Sequence, residues 1–193
     1  MLSEWEKKTF EEIAYIERGK FSVRPRNDPG YYGGSIPFIQ TGDISRANNY
    51  IREYKQTLNE KGLRISKLFP KGTIVVGIIA NIGDVAILDF DAAFPDNIVG
   101  ITSKDNVDSA WLFQILKNMK NTFEKLSTKN AQKSLSLEKL QPIIISVPPL
   151  LEQQKIASIL CTWDKAIWEL QKLYAAKEKN IKHLLKIFLR IKQ

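Results

Sequence analysis

The segment Val147-Pro-Pro-Leu-Leu-Glu-Gln-Gln-Lys-Ile156 separates two different sequence patterns. Its double proline ends a strand-like apolar run, because proline cannot donate a hydrogen bond to a neighbouring strand. After it, residues recur at alternating steps of four and three, the spacing of a and d positions in a heptad repeat. We therefore predict a domain over residues 1–149 and a long helix over residues 150–193. The repeat positions are Ile156, Leu160, Trp163, Ile167, Leu170, Tyr174, Lys177, Ile181, Leu184, Phe188 and Ile191.

The heptad stripe has two interpretations. In the first, the amphipathic helix packs on its own domain. A helix from Ile156 to Ile191 would extend roughly 50 Å at about 1.5 Å per residue, so the domain could cover the stripe only if the helix lies flat across it. The alternative, which we prefer, is a dimer interface with a second long helix, formed by the repeat positions as far as Phe188. Lys177 interrupts the stripe, and a polar residue at such a position commonly fixes register or partner choice. Antiparallel pairing about the midpoint of Ile156 and Ile191 would place Lys177 opposite Leu170 of the second copy.

The first 149 residues carry mainly strand patterns, followed by one clear helix. Asp108 and Ser109 form a plausible N-cap for a helix of about ten residues, because apolar residues after them follow helical spacing. Residues 18–34 are rich in charge, Gly, Pro and Tyr, which is typical of a loop. Strands are predicted at Ile36–Ile39, Gly72–Gly77, Asp84–Leu88 and Pro142–Val147, and a short amphipathic segment at Trp5–Ile16.

Positive charge is concentrated in particular segments of the chain. The 193 residues hold 29 Lys plus Arg against 21 Asp plus Glu, a formal net charge of +8. Residues 18–67 and 151–193 are the most basic parts. A basic protein with zoned charge usually meets phosphate or acidic lipid, although part of the charge can be solubilising.

Several functional classes are disfavoured by the composition. With one cysteine, Cys161, and one histidine, His183, the chain cannot form an internal disulfide or an ordinary Cys/His zinc site. It has no phosphate-loop or dinucleotide-binding glycine motif and no clustered carboxylates suited to a nuclease. We therefore predict no active site, no metal and no cofactor. The charged start of the chain and its short apolar runs predict a cytoplasmic protein without a membrane segment.

Three polar clusters suit nucleic-acid binding. Arg and Lys neutralise phosphates, while Arg, Asn and Gln make paired hydrogen bonds to base edges in the major groove. An ordinary solvated surface would have a similar composition. The candidate DNA-binding residues are Arg18, Lys20, Arg24, Arg26, Tyr31 and Tyr32; Gln40, Thr41, Asp43 and Arg46; and Lys129, Asn130, Gln132 and Lys133.

Taken in order, a set of short motifs resembles the DNA sequence-specificity (S) subunits of type I restriction-modification systems. The resemblance covers nearly the whole chain, and the segment from Val147 into the helix as far as Asp164 is its strongest part. The other motifs are the Trp5–Gly19 lead-in, Gly34-Ser-Ile-Pro-Phe-Ile-Gln-Thr-Gly-Asp-Ile44, Phe69-Pro-Lys-Gly-Thr-Ile74, Gly83-Asp84, Pro95-Asp-Asn97 and Ala131-Gln-Lys-Ser-Leu135.

The resemblance implies an α+β fold, with a mixed-sheet target-recognition domain followed by a long C-terminal coiled-coil helix. It also implies DNA recognition without catalysis. A usual member has two such units, and its paired helices act as a spacer and dock methyltransferase (M) subunits. This chain resembles a half-length S subunit.

From this resemblance we expect a homodimer that reads a bipartite palindromic DNA site. Its other partners would be M subunits and possibly restriction (R) subunits. The assembled complex would carry the adenine methyltransferase and ATP-dependent endonuclease activities. Two alternatives stay open, a coiled-coil interaction protein and a silent S-subunit fragment that needs a different partner.

Overall fold

The computed structural model describes residues 5–21, 25, 27–127 and 133–190, with side chains as far as residue 187. The chain divides into two compact units, one ending at Gln154 and the other starting at Lys155. The strands are β1 (Glu6–Thr9), β2 (Ala14–Arg18), β3 (Tyr32–Phe38), β4 (Tyr50–Ile51), β5 (Gln56–Leu58), β6 (Leu68–Phe69), β7 (Ile74–Gly77), β8 (Val85–Leu88), β9 (Ala92–Ala93), β10 (Ile98–Ser103) and β11 (Ile144–Val147). The helices are α1 (Phe10–Ile13), α2 (Thr41–Arg46), α3 (Glu60–Arg64), α4 (Ser109–Asn118), α5 (Lys120–Leu126), α6 (Leu137–Leu140) and α7 (Leu150–Arg190).

A five-stranded sheet in the order β2-β10-β7-β8-β4 lies in the first unit. All its pairings are antiparallel except β4 with β8. Every residue of β7 is buried, which explains its unbroken apolar sequence Ile-Val-Val-Gly. Helix α4 contacts β8 and β10, and its Trp111, Leu112 and Leu116 are fully buried. This sheet and helix form the main core.

A four-stranded sheet in the order β5-β3-β9-β6 carries the second apolar cluster. Phe21, Phe38, Leu58 and Ala93 are buried together there. The close approach of β3 to the start of α3 requires glycine, because a Cβ at Gly34 would lie 2.5 Å from backbone atoms of residues 58 and 59. Parallel pairing of β3 with β9 makes this sheet mixed as well.

The segment Trp5–Ile16 contains two strands and one turn of helix. Strand β1 pairs with β11, and β2 is an edge strand of the five-stranded sheet. Helix α1 separates them. It begins after Thr9, whose backbone N–H and hydroxyl both donate to the Glu12 carboxylate, and these bonds lower the Glu12 pKa. A single amphipathic segment was therefore too simple a prediction.

The loop predicted over residues 18–34 is wrong at both ends. Arg18 belongs to β2, and Tyr32, Gly33 and Gly34 belong to β3. A bulge between Tyr32 and Ile36 explains why the alternation of this strand is irregular.

The predicted fold class is confirmed, with mixed sheets followed by a long C-terminal helix. Helix α7 runs without a break for 41 residues. At its start the buried side chain of Gln153 accepts a hydrogen bond from Asp108 N–H at 2.8 Å and donates to Pro148 C=O at 2.8 Å. Gln153 thus connects the first turn of α7 to the N-terminus of α4. Within the described ranges, no helix has the length and hydropathy needed to cross a bilayer.

Candidate nucleic-acid interface

A cleft of roughly 450 Å³ opens beside α2, and we refer to it as the α2 cleft. It collects four predicted DNA-binding residues with seven that the sequence patterns did not indicate. Its lining consists of Phe21, Asn27, Tyr32, Phe38, Gln40, Gly42, Asp43, Arg46, Lys55, Gln56 and Pro95.

Aromatic side chains form the floor of the α2 cleft. Phe21 lies with its ring centroid 4.9 Å from that of Phe38 and 5.8 Å from that of Tyr32. Tyr31 meets Phe21 edge to face at 6.3 Å. Both tyrosines are half-buried, so they support the cleft from within through much of their ring surface. Tyr31 and Tyr32, both predicted to bind DNA, thus take part in aromatic packing.

Two amide side chains meet at the rim of the α2 cleft. Gln40 Nε2 donates to Gln56 Oε1 at 3.0 Å. Each amide has two donor hydrogens and two acceptor lone pairs, so the pair keeps several groups for an outside partner. Lys55, next to Gln56, is exposed. The antiparallel register that sets Phe38 opposite Gln56 brings Lys55 and Gln56 to this rim, and no local motif marks that pairing.

Asp43 and Arg46 have different positions in the site. Asp43 is buried, and its carboxylate accepts from Gln40 N–H at 2.8 Å and from the Arg46 guanidinium one turn later. These bonds fix the start of α2, because they satisfy a backbone donor that the helix leaves unpaired. Arg46 remains more than half exposed. The geometry therefore gives Asp43 a supporting position and leaves Arg46 facing solvent.

The turn at residues 81–84 anchors the other side of α2. Ser45 contacts Asp84 and accepts from Asn81 Nδ2 at 2.7 Å. Asp84 also pairs with Lys120 at 2.6 Å, and this hydrogen bond raises the pKa of Lys120. Helix α2 is thus attached to both the five-stranded sheet and α5.

The segment that begins at Lys133 is attached to the strand leading into this turn. Ser134 pairs with Ile79 in an isolated β-bridge, and Leu135 N–H donates to Ile78 C=O at 2.9 Å. Lys133 itself is exposed. The same turn-bearing stretch, residues 78–84, therefore supports both α2 and the residues that follow Lys133.

The remaining predicted residues fall into two groups. Arg18 and Lys20 are exposed but do not line the α2 cleft, and Thr41 is half-buried at the first position of α2. The others lie outside the described residues and keep the status of predictions: Arg24, Arg26, Lys129, Asn130 and Gln132.

In the second unit, the heptad stripe of α7 is exposed over most of its length. Trp163 and Leu170 each keep 65% of their surface accessible and Tyr174 keeps 73%. Leu160, Ile167, Ile181 and Leu184 are exposed as well. Ile156 is half-buried, and the side chain of Phe188 lies outside the described part. Such a continuous apolar surface is characteristic of an interaction site.

The chain combines a sheet-based unit, whose cleft has an aromatic floor and a polar rim, with a long helix that carries an exposed apolar stripe. The chain belongs to the family described as type I restriction modification DNA specificity domain, whose model matches residues 2–178. This match confirms the resemblance found in the sequence.

A curated relative is the type I restriction enzyme MjaIX specificity subunit of Methanocaldococcus jannaschii. It is 30% identical over 188 residues, which are 95% of this chain and 43% of the relative. The chain therefore spans less than half the length of that subunit.

Solved structures share the fold. A chain from a study of assembly and conformational transition of the type I restriction-modification system superposes with a TM-score of 0.76 at 18% identity, covering 95% of this chain and 44% of that one. The HsdS subunit from Thermoanaerobacter tengcongensis gives a TM-score of 0.69 at 17% identity, covering 89% and 40% respectively.

Proposed function

We propose that this chain is a non-catalytic DNA specificity subunit that directs a type I restriction-modification complex to its target sequence. The observation that carries the proposal is the family match, which runs through the sheet-based unit and most of α7. The α2 cleft supplies groups suited to the role.

DNA reading would centre on α2 and the edge strand β5. Gln40 and Gln56 present amide donors and acceptors, and amides of this kind bond the N6 and N7 atoms of adenine in the major groove. Arg46, held at one side by Asp43, would bond a guanine edge or a phosphate. Lys20, Lys55 and Lys133 would neutralise phosphates and so contribute affinity without sequence preference.

Dimerisation would use the exposed stripe of α7. Pairing with a second copy would bury this apolar surface, and each Å² buried contributes about 25 cal/mol to the free energy of association. Antiparallel pairing would place the two recognition units in a twofold arrangement. Identical units read identical half-sites, so the expected target is an inverted repeat with an unread gap.

Chemistry would come from partners. M subunits would transfer a methyl group from S-adenosylmethionine to adenine, and R subunits would supply ATP-dependent cleavage. In this proposal the chain itself holds no cofactor.

A methylation map tests the proposal. The chain is expressed with the methyltransferase subunit encoded beside it in a host that lacks other adenine methylation, and modified adenines are located by long-read sequencing. One split palindromic motif supports the homodimer. A split asymmetric motif contradicts homodimerisation and indicates that a different recognition domain reads the second half. Absence of methylation, with the complex shown to form, contradicts the role in target selection.

A further inference from the structure

Four lysines recur every seventh residue along α7, and we refer to them as the lysine row. Helix α7 is continuous across all of them. In a heptad where Leu160 is a and Trp163 is d, the row occupies the f positions, on the face opposite the apolar stripe. Its members are Lys165, Lys172, Lys179 and Lys186.

The row is the regularly repeating part of a mixed outer face. The positions beside it hold the uncharged Cys161, Thr162, Ala175 and Ala176 together with the charged Glu169 and Lys182. Lys155, Lys177 and Lys182 lie at other heptad positions of α7, so the row is set apart by its regular seven-residue repeat. Here every f position from residue 165 to residue 186 is lysine.

The charges of the row are available to an outside partner. All four residues are exposed. Lys172 pairs with Glu169 at 3.3 Å and its ammonium lies 5.0 Å from the Trp168 ring centroid. No carboxylate among the described residues lies within ion-pair distance of Lys165, Lys179 or Lys186. The row therefore forms a line of positive charge that its own helix leaves largely uncompensated.

The spacing of the row suits a long polyanion. Seven residues advance an α-helix by about 10.5 Å, so the row spans roughly 31 Å. This length is close to one turn of B-DNA, roughly 34 Å. We propose that the lysine row binds the phosphate backbone of double-stranded DNA in the unread gap between the half-sites. This inference rests on the proposed function and adds a contact surface on the helical unit.

Salt dependence of binding measures the contact. The full chain with Lys165, Lys172, Lys179 and Lys186 changed to Gln is titrated onto a duplex of about 40 base pairs of arbitrary sequence at several salt concentrations. Each lost phosphate contact reduces the slope of log K against log salt by about 0.9, so the variant slope should be smaller by about 3 to 4. Glutamine retains good helix propensity, and circular dichroism checks that α7 is intact.

A matched variant separates local contact from loss of net charge. It changes four exposed lysines outside the row to Gln and should keep a slope within about one unit of the unmodified chain. Equal slopes for the two variants overturn the proposal. An unchanged slope for the row variant also overturns the proposal. If that variant instead binds a methyltransferase subunit more weakly, the row contacts protein rather than DNA. Failure of the proposed function is detected by a separate measurement. In that case the unmodified chain shows no sequence preference when it selects from a random duplex library. The control lysines are Lys7, Lys61, Lys71 and Lys155.

Discussion

Gln40 at the start of α2 and Gln56 in β5 are 16 residues apart, yet Gln40 Nε2 donates to Gln56 Oε1 at 3.0 Å. The bond joins a helix to an edge strand of the four-stranded sheet and orients both amides at the rim of the α2 cleft. A preoriented amide loses less conformational entropy when it binds a base edge. The pair is therefore the best-defined candidate for sequence readout among the described residues.

Replacing either glutamine should change sequence preference more than overall DNA binding. For Gln40→Ala or Gln56→Ala we expect a loss of about 1–3 kcal/mol in discrimination at one base pair, with a similar salt slope. The measurement is the affinity for a target duplex and for its single-base variants. Thr57→Ala is the matched control, because Thr57 lies beside Gln56 on the other face of β5. Equal discrimination by Gln56→Ala and Thr57→Ala would contradict the assignment.

Substitution of Asp43 should mainly affect folding stability, whereas substitution of Arg46 should mainly affect DNA binding. Asp43→Ala removes a buried acceptor of the Gln40 N–H and should lower the free energy of unfolding by about 1–2 kcal/mol, measured by urea denaturation. Arg46→Gln should lower DNA affinity with a smaller loss of stability, because most of its side chain is exposed. If Asp43→Ala unfolds at the same urea concentration as the unmodified chain, the supporting position assigned to Asp43 is wrong.

The sequence predicted those elements whose signals are local. Asp108 caps α4 as expected, accepting from Trp111 N–H at 2.8 Å, and β7 and β11 fall within their predicted ranges. The periodicity of α7 is also local and sufficed to predict a long helix.

Features that depend on distant pairing were missed. Lys55 and Gln56 reach the α2 cleft only through the register of β3 with β5. Helix α2 is six residues long and depends on Asp43, so it leaves no amphipathic period to detect. Asp43 is predicted from the sequence to contact DNA, because a capping acid and a DNA-contacting acid have the same sequence context.

The ion pair between Asp84 and Lys120 should make the free energy of unfolding depend on pH in the alkaline range. The hydrogen bond from Lys120 to Asp84 raises the lysine pKa above 10.5, so its contribution is fully present below that value. It is lost as the pH rises through the folded-state pKa. Asp84→Asn should lower the free energy of unfolding by no more than about 1 kcal/mol at pH 8, because solvent screens the half-exposed Lys120, and the difference from the unmodified chain should shrink above pH 10.5.

Thermal unfolding of both proteins across this pH range provides the measurement. Asp91→Asn is a control, since Asp91 is exposed and accepts from Lys71 N–H instead. A constant difference between the Asp84 variant and the unmodified chain at every pH would assign the loss to Ser45 rather than to Lys120.

Crosslinking should reveal the direction and register of the proposed helix pair. With Cys161 replaced by Ser, chains carrying Leu170→Cys and chains carrying Lys177→Cys are mixed and oxidised. Antiparallel pairing places residue 170 opposite residue 177 of the partner, so the mixed disulfide should dominate. A 177-to-177 disulfide should not form, because those two positions would be separated by about 10 Å along the helix axes, beyond disulfide reach. Ala176→Cys, off the apolar stripe, should give no crosslink. A dominant 177-to-177 product would contradict the proposed antiparallel register, in which residue 177 lies opposite residue 170 of the second copy.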